Sequence, residues 1–183
     1  MSDAPTISSL RLAILCMMLE APKSGYDLKT VFEQTPMGHF SSSPGSIYPA
    51  LKRMEEEGWI SGTVENPDSL RPTRMLSLMP KGEQLLKHLF LQPIDEQDVV
   101  FRMDQLMLRF VFMTPLLGRE STCDFLEQLI EALTDQVVAV RTASRELTND
   151  PPEGLLALQH GIDSYESTLR WARKALSTLT QHR

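Results

Sequence analysis

The sequence has few of the features that mark secreted, membrane or metal-binding proteins. It contains only two cysteines, Cys16 and Cys123, and both fall in apolar helical patterns without further metal ligands at a usable spacing. They are predicted to be buried, reduced thiols, as in a cytoplasmic protein. The start of the chain has no apolar signal segment, and no apolar run is long enough to span a bilayer, so no membrane association is predicted.

The histidines and carboxylates form no catalytic constellation. His39, His88, His160 and His182 are scattered, without the spacing of a metal site or a catalytic triad. The run Glu55-Glu56-Glu57 falls on adjacent helical positions and is predicted to be a solvated patch. The sequence therefore predicts no enzyme, no metal site and no cofactor.

Positive charge is also scarce for a protein that binds nucleic acid. The chain carries 18 Lys/Arg against 24 Asp/Glu, a net charge of -6. The acidity belongs mainly to the second half, because residues 1–91 have a net charge of -1 and residues 92–183 a net charge of -5. A near-neutral first half can still present a local basic face, but the balance predicts weak binding to DNA of arbitrary sequence.

What the sequence does contain is a short helix with two different faces. Four apolar residues recur at helical spacing and are predicted to form one buried stripe: Ile47, Ala50, Leu51 and Met54. The other face carries small, aromatic and basic residues: Tyr48, Pro49, Lys52 and Arg53. This layout is typical of a recognition helix in a DNA major groove.

The ends of this helix are marked as well. Ser43 or Ser46 can cap its start, and Gly58 is well placed to end it. Pro49 fits if the helix begins at Ser46, because its missing N–H then falls among donors that have no helical partner. An exposed Lys-Arg pair is a solvated face in most proteins, so the helix alone does not identify a DNA-binding protein.

The segment after the helix makes the pattern more specific. Residues 59–65 and 73–79 read as strands on either side of a turn-rich segment, and a further helix follows Pro80. Helix, strand, turn, strand and helix is the order of a winged helix-turn-helix. The wing carries Arg71 and Arg74, which are predicted to reach phosphate or a minor groove.

The whole chain is predicted to be mainly α, in two domains. Residues 1–92 form the winged helix-turn-helix with its two-stranded wing, and residues 93–183 form a helical, coiled-coil-like domain. In the second domain a helix is predicted over residues 95–113, stopped by Thr114-Pro115, and another from Ser121 or Thr122 to about Leu147.

The last helix carries an apolar seam. Leu155 and seven later residues recur at alternating steps of three and four: Leu158, Ile162, Tyr165, Leu169, Ala172, Leu176 and Leu179. Packing against a second copy of the chain is the simplest way to bury such a seam. The alternative is an antiparallel pair within one chain, with the helix over residues 121–147, and both arrangements can coexist in a dimer.

The apolar, Met-rich helix over residues 95–113 suggests a ligand pocket. Met103, Met107 and Phe110, together with Trp171, are predicted to line a site for a flat hydrophobic effector. The alternative is that these side chains simply fill the core of the second domain.

Three stretches of the first domain resemble the PadR family of bacterial transcriptional regulators. They are Ser24-Gly25-Tyr26-Asp27-Leu28, the run from Ser43 to Glu55, and Gly58-Trp59-Ile60. The resemblance covers roughly residues 8–90, and the remainder is similar in layout to the helical C-terminal domain of the virulence-activator type. It implies a homodimer that binds palindromic operators in double-stranded DNA, with many members acting as repressors released by a small aromatic molecule and some as activators.

The resemblance also implies where DNA is contacted, because Tyr48, Lys52 and Arg53 match the positions at which such proteins touch it. With the caps and the wing, the predicted DNA-binding residues are Ser43, Ser46, Tyr48, Pro49, Lys52, Arg53, Arg71 and Arg74. The alternative is a winged-helix protein-interaction module, or an activator without small-molecule control. An interaction module would leave these arginines and Lys52 without a common target.

Overall fold

The computed structural model of the protein describes residues 7–40, 44–65, 72–146 and 151–181. These residues group into two compact units, Met1–Gln92 and Pro93–Arg183, which are described separately below.

The N-terminal unit is a winged helix-turn-helix, as predicted. A three-stranded antiparallel sheet has the strands in the order Lys23–Ser24, Thr73–Leu78 and Ile60–Glu65. The last two are the wing strands, which pair from Ile60 opposite Leu78 to Glu65 opposite Thr73. Short 3-10 turns over Pro36–Phe40 and Pro44–Ser46 precede the third helix. The helices and strands are α1 (Ser9–Glu20), β1 (Lys23–Ser24), α2 (Gly25–Gln34), α3 (Ile47–Glu56), β2 (Ile60–Glu65), β3 (Thr73–Leu78) and α4 (Pro80–Phe90).

Helix α1 forms the centre of this unit because it is apolar on every side. Every residue from Leu12 to Met18 is buried, which includes Cys16. Burial raises the pKa of the Cys16 thiol, because the thiolate would lose its hydration. The predicted buried thiol is thus confirmed at this position.

Helix α2 begins with a complete capping box. The Asp27 N–H donates to Ser24 Oγ at 3.1 Å, and the Ser24 N–H donates to Asp27 Oδ2 at 2.9 Å. The Ser24 hydroxyl also donates to Asp27 Oδ2 at 2.8 Å. The hydrogen bonds from the Ser24 side chain and backbone hold the pKa of Asp27 below its ordinary value, because they favour the ionised carboxylate.

Helix α3 buries the predicted stripe. Its four apolar residues are buried, and the helix ends in a Schellman arrangement around Gly58, whose φ is 73°. The Gly58 N–H donates to Glu55 O and the Trp59 N–H donates to Met54 O, both at 2.9 Å. Ser46 occupies the N-cap position without a side-chain capping hydrogen bond, so capping by its hydroxyl is not found. Ser43, the other predicted cap, lies outside the described residues.

The C-terminal unit consists of α5 (Glu96–Phe101), α6 (Met103–Glu146) and α7 (Pro152–Gln181). The single helix predicted over residues 95–113 is wrong, because Arg102 has non-helical φ and ψ of -131° and 27°. The Arg102 guanidinium folds back onto α5, where Nε lies 2.8 Å from Asp98 Oδ1.

The predicted stop at Thr114-Pro115 is also wrong. Pro115 lies inside α6, and the helix breaks only at Gly118, where φ is 89° and ψ is 170°. Pro115 removes one N–H donor, but the sharp break needs a positive φ, which glycine adopts without strain and proline cannot adopt. The predicted start at Ser121 or Thr122 falls inside the second segment of α6. Thr122 donates instead to Gly118 O at 3.0 Å and accepts from the Thr114 hydroxyl at 2.7 Å.

Helix α7 packs against α6 of the same chain, so the intramolecular alternative for the seam is present. Ile162, Leu169 and Ala172 are buried within one chain, whereas the remaining seam residues are half-buried or exposed. Helix α6 has an apolar stripe of its own, which is buried at Leu126, Leu129, Leu133 and Val137. The prediction of a buried thiol is wrong for Cys123, which is half-buried on α6, and both cysteines are free.

The capping box predicts a pH-dependent contribution to stability. Because the pKa of Asp27 is lower in the folded chain, its stabilising effect is fully present above the ordinary value of 3.8 and is lost as the pH falls through the folded pKa. We expect Asp27→Asn to lower the Tm at neutral pH, with the difference shrinking below that value, and Ser24→Ala to cost about 1 kcal/mol. Thermal melts across this pH range measure both effects.

The control is Glu33→Gln at the far end of α2, where Glu33 pairs loosely with Lys29 at 3.6 Å. Such an exposed pair contributes less than about 1 kcal/mol. A Tm difference for Asp27→Asn that does not change with pH would contradict the role assigned to its charge.

The burial of Leu169 within one chain gives a second prediction. Leu169→Asp should lower the free energy of unfolding by roughly 3–5 kcal/mol, because it opens a cavity and buries an unpaired carboxylate. Ser167→Asp places the same carboxylate on the exposed side of α7 and should change stability by less than about 0.5 kcal/mol. Denaturant unfolding compares the two, with sedimentation as a second measurement. A stable Leu169→Asp variant that merely changes from dimer to monomer would place Leu169 between two copies instead.

Candidate nucleic-acid interface

The outer face of α3 is open to solvent over the predicted contact residues. Tyr48, which is 55% exposed, lies there with the exposed side chains of Pro49, Lys52 and Arg53. They lie on the side of the helix opposite Ile47, Ala50, Leu51 and Met54, because α-helical geometry separates the two sets. The burial of one face therefore orients the other face outward.

Tyr48 is held against the first residue of α2. A Cβ added at Gly25 would lie 2.9 Å from Tyr48 Cε1 and 3.5 Å from Leu51 Cδ1. The missing side chain at Gly25 thus leaves room for the tyrosine ring. This packing fixes the ring between α2 and α3 while much of its surface stays accessible.

Tyr48 and Lys52 meet Arg74 around a shallow cleft of about 280 Å³. The cleft lies between the start of α2, the outer side of α3 and strand β3, and its other lining residues are Gly25, Leu51, Glu55 and Leu76. Three of the predicted contact residues from two separate sequence segments are therefore neighbours. The sequence predicts Arg74 as a wing residue that reaches phosphate or a minor groove, and it does not predict that Arg74 lies beside α3.

The three cations on this side of the unit differ in how they are held. Lys52 Nζ lies 3.9 Å from Glu56 Oε1, a loose pair one helical turn apart. Arg74 reaches across to α3, where its guanidinium nitrogen lies 2.7 Å from Glu55 Oε1. The Arg53 guanidinium makes no hydrogen bond or ion pair within the described parts of the chain. It is the cation most available to a ligand.

The remaining predicted residues fall differently. Ser46 is half-buried at the N-cap position, and Pro49 is exposed in the first turn of α3. Ser43 and Arg71 lie outside the described residues, so their predicted roles stay predictions.

Sequence reasoning missed the roles of two glutamates. The run Glu55-Glu56-Glu57 was predicted to be a solvated patch, but Glu55 pairs with Arg74, and Glu57 pairs with Arg11. The Arg11 guanidinium also lies over the ring of Trp59, 4.1 Å from its centroid. Helical position distinguishes these glutamates in the sequence. Glu55 and Glu57 flank the end of the buried stripe, where they can reach other elements, whereas Glu56 points away from it.

The C-terminal unit brings together two of the four predicted effector residues. Phe110 and Trp171 make an edge-to-face contact, with ring centroids 5.0 Å apart. Met103 and Met107 are half-buried on the same helix as Phe110. A cleft of about 550 Å³ elsewhere in the unit is lined by other residues, among them Pro93, Glu131 and Asp135.

A buried arginine in this unit was not singled out from the sequence. Arg109 is buried, and its guanidinium lies 5.1 Å from the centroid of the Phe125 ring. Desolvation lowers the pKa of Arg109 to about 10, opposed by the nearby charge of Asp98, so the side chain stays charged at neutral pH. The sequence does contain a sign of this burial, because Arg109 is the one charged residue within the apolar run from Leu106 to Met113.

The described residues contain no group of three or more His, Cys, Asp or Glu side chains that could hold a metal ion. Within the same ranges of the chain, no helix is both long enough and apolar enough to cross a membrane.

The fold and the exposed face of α3 define a winged-helix protein with an attached helical unit. Residues 14–88 match the model of the Transcriptional regulator PadR-like family, and residues 103–180 match that of the Virulence activator alpha C-term family. The N-terminal unit therefore contains a PadR-like domain, and the resemblance predicted from the sequence is confirmed.

The chain is similar to the Negative transcriptional regulator PadR of Bacillus subtilis (strain 168). The two are 30% identical over 125 residues, which cover 66% of this chain and 65% of that relative. The match thus spans slightly less than two thirds of the relative's length.

Solved structures of PadR proteins are similar over most of the chain. Bacillus subtilis PadR in complex with operator DNA is 22% identical, with a TM-score of 0.42, and the match covers 93% of this chain and 98% of that chain. The PadR-like transcriptional regulator BC1756 from Bacillus cereus is 24% identical, with a TM-score of 0.42, covering 95% of this chain and 99% of that chain.

Proposed function

We propose that this protein is a transcriptional regulator that binds specific sequences in double-stranded DNA, with α3 as the reading helix. The observation that carries the proposal is the exposed set of Tyr48, Lys52 and Arg53 opposite the buried stripe of α3. An α-helix fits the major groove, where base edges offer a distinct pattern of donors and acceptors for each base pair. The proposal is for a cytoplasmic regulator and not for an enzyme.

In this proposal some residues contact base edges and others contact the DNA backbone. Arg53 or Tyr48 contacts base edges, because each is exposed and carries a hydrogen-bond donor that the described chain leaves available. Lys52 contacts phosphate as a flexible point charge. Arg71 contacts backbone or minor groove in this proposal, and Ser43, Ser46 and Pro49 complete the proposed set of DNA contacts.

The low positive charge of the chain suits a specific rather than a general DNA binder. Binding to arbitrary DNA depends on neutralising phosphates, and the N-terminal unit has a net charge close to zero. Affinity for a particular operator must then come largely from base contacts on α3. Because binding to arbitrary DNA is weak, the difference between operator affinity and random-DNA affinity is large.

We propose further that two copies bind a palindromic operator as a homodimer. The support is the apolar surface that remains open on the C-terminal unit, where Leu156 is 70% exposed and Val111 and Val138 are also exposed. The half-buried seam residues Leu158, Tyr165, Leu176 and Leu179 border the part of α7 that α6 leaves open. Two reading helices would then bind half-sites about one helical turn apart, roughly 34 Å.

The direction of regulation we propose is repression. The similar Bacillus subtilis protein is named a negative regulator, and repression needs only that the bound dimer blocks access to a promoter. The alternative is an activator, or a protein-interaction module, that works without small-molecule control. A reporter gene placed behind the selected operator distinguishes repression from activation.

The DNA-binding proposal is tested by selecting bound sequences from a random double-stranded pool. Tyr48→Ala, Lys52→Ala and Arg53→Ala are then measured on the selected operator and on random DNA at two salt concentrations. A base-reading residue should cost roughly 1–3 kcal/mol on the operator alone, because its contact is lost only where the correct base is present. A phosphate contact should weaken both DNAs and lower the salt slope by about 0.9 per site.

The matched control is Lys29→Ala on α2, a half-buried lysine outside the proposed interface. It should bind like the unmodified protein, which shows that loss of one positive charge is not enough. If the three α3 variants stay folded and also bind the operator like the unmodified protein, α3 is not the reading helix and the proposal fails.

We also propose that the C-terminal unit binds a flat hydrophobic effector beside Phe110 and Trp171, with Met103 and Met107 as flexible walls. The chemical class proposed is a small aromatic molecule, such as an aromatic acid. The chain has two tryptophans, Trp59 and Trp171, so in the Trp59→Phe variant the fluorescence comes from Trp171 alone. An aromatic acid should quench its fluorescence and weaken operator binding over the same concentration range.

The matched control is the Trp171→Phe variant, whose remaining Trp59 lies in the N-terminal unit and should not respond. If aromatic acids and hydrophobic cations leave both the Trp171 fluorescence and operator binding unchanged, the apolar side chains only fill the core.

A further inference from the structure

The path of Arg74 is the least expected feature of the candidate interface. Arg74 lies on β3 opposite Val64 of β2, and the next pair of the same face is Leu76 opposite Gly62. Its side chain crosses β2 diagonally, because a Cβ added at Gly62 would lie only 2.4 Å from Arg74 Nε. The absence of a side chain at Gly62 opens the route by which Arg74 reaches α3.

Glu55 receives Arg74 at the end of this route. The Glu55 side chain is 21% exposed and the Arg74 side chain 60%, and their charged atoms lie 2.7 Å apart. The neighbouring pair on α3 is different, because Lys52 and Glu56 are 80% and 61% exposed and lie 3.9 Å apart. Glu55 is thus partly shielded and joins two elements, whereas Glu56 is solvated and pairs within its own helix.

The pair fixes what Arg74 can do at the cleft. Held by Glu55, the guanidinium lies beside Tyr48 and Lys52, and part of it faces solvent. A charge-assisted pair between an arginine and a carboxylate has a defined geometry. Glu55 also offsets the positive charge of Arg74 toward any phosphate that approaches, so a contact forms only where the DNA matches this geometry.

We propose that Glu55 is a specificity-determining residue, which positions Arg74 against α3 and weakens the attraction of this face for DNA of arbitrary sequence. The inference rests on the proposed function and adds a carboxylate that makes no contact with DNA itself. In this proposal Arg74 acts as part of the α3 reading surface and not as an independent contact of the wing.

The test compares Glu55→Gln with Glu56→Gln on the selected operator and on random DNA over a range of salt concentrations. Both variants remove one negative charge from α3. Glu55→Gln also releases Arg74, so binding to random DNA should rise more than binding to the operator. The ratio of operator to random affinity should fall roughly fivefold, with the random-DNA salt slope steeper by about 0.9 per protomer. Glu56→Gln should raise both affinities by a similar factor and leave the ratio within about twofold.

Gly62→Ala gives a second variant that changes no charge. The three atoms nearest to the added methyl group are Nε, Cζ and Nη2 of Arg74, at the far end of a flexible side chain, so the guanidinium must leave its position while the strand is retained. The affinity ratio should fall as it does in Glu55→Gln. Circular dichroism and thermal melts confirm that each variant is folded before binding is measured.

The outcomes separate the inference from the function on which it rests. If the unmodified protein selects no sequence, both fall. If it selects an operator but Glu55→Gln and Glu56→Gln change the ratio equally, only the role of Glu55 is overturned. The same holds if Gly62→Ala is folded and keeps the ratio of the unmodified protein. If Gly62→Ala does not fold, the comparison of the two glutamine variants decides alone.

Discussion

Burial of one stripe of α3 is the constraint on which the N-terminal unit depends. Placing Ile47, Leu51 and Met54 in the core contributes about 1.5–3 kcal/mol for each side chain, whereas an exposed ion pair contributes between about 0 and 1 kcal/mol. The apolar stripe therefore sets the rotation of α3, and the charged residues take the positions that remain. The Schellman end at Gly58 then turns the chain into β2, so that the wing returns beside the same helix. Fold and interface follow from the same four buried side chains.

The parts of this arrangement that were predictable from sequence are the local ones. Apolar spacing located the buried stripe of α3, and Gly58 located the end of this helix. Each of these signals acts within one helical turn, where backbone geometry determines which residues are neighbours. The pairing of Arg74 with Glu55 was not predictable in this way. It depends on the register of two strands and on the space above Gly62, and neither can be read from the neighbours of Arg74 in the sequence.

The C-terminal unit shows the same limit in two forms. The spacing of the α7 seam identifies a buried face, but the physics of its burial is identical whether the covering helix belongs to the same chain or to another. Only the structure shows α6 of the same chain in that position. The break in α6 was misplaced because proline is the stronger signal in a sequence. A helix can tolerate one missing N–H donor in its last turn. The break at Gly118 requires a positive φ, and the only sign of this in the sequence is the glycine itself.

The separation of the two faces of α3 has a consequence for how this protein can change over time. Position 53 points away from the core, so under the proposed function substitutions there alter which DNA is preferred while the stability of the fold stays nearly constant. Under the same proposal, new operator preferences are accessible by single substitutions that are almost neutral for folding. Substitutions at position 25, the first residue of α2, would not be neutral for folding in this way. Any side chain there would displace the Tyr48 ring, so under the proposed function a substitution at position 25 would change packing and DNA preference together.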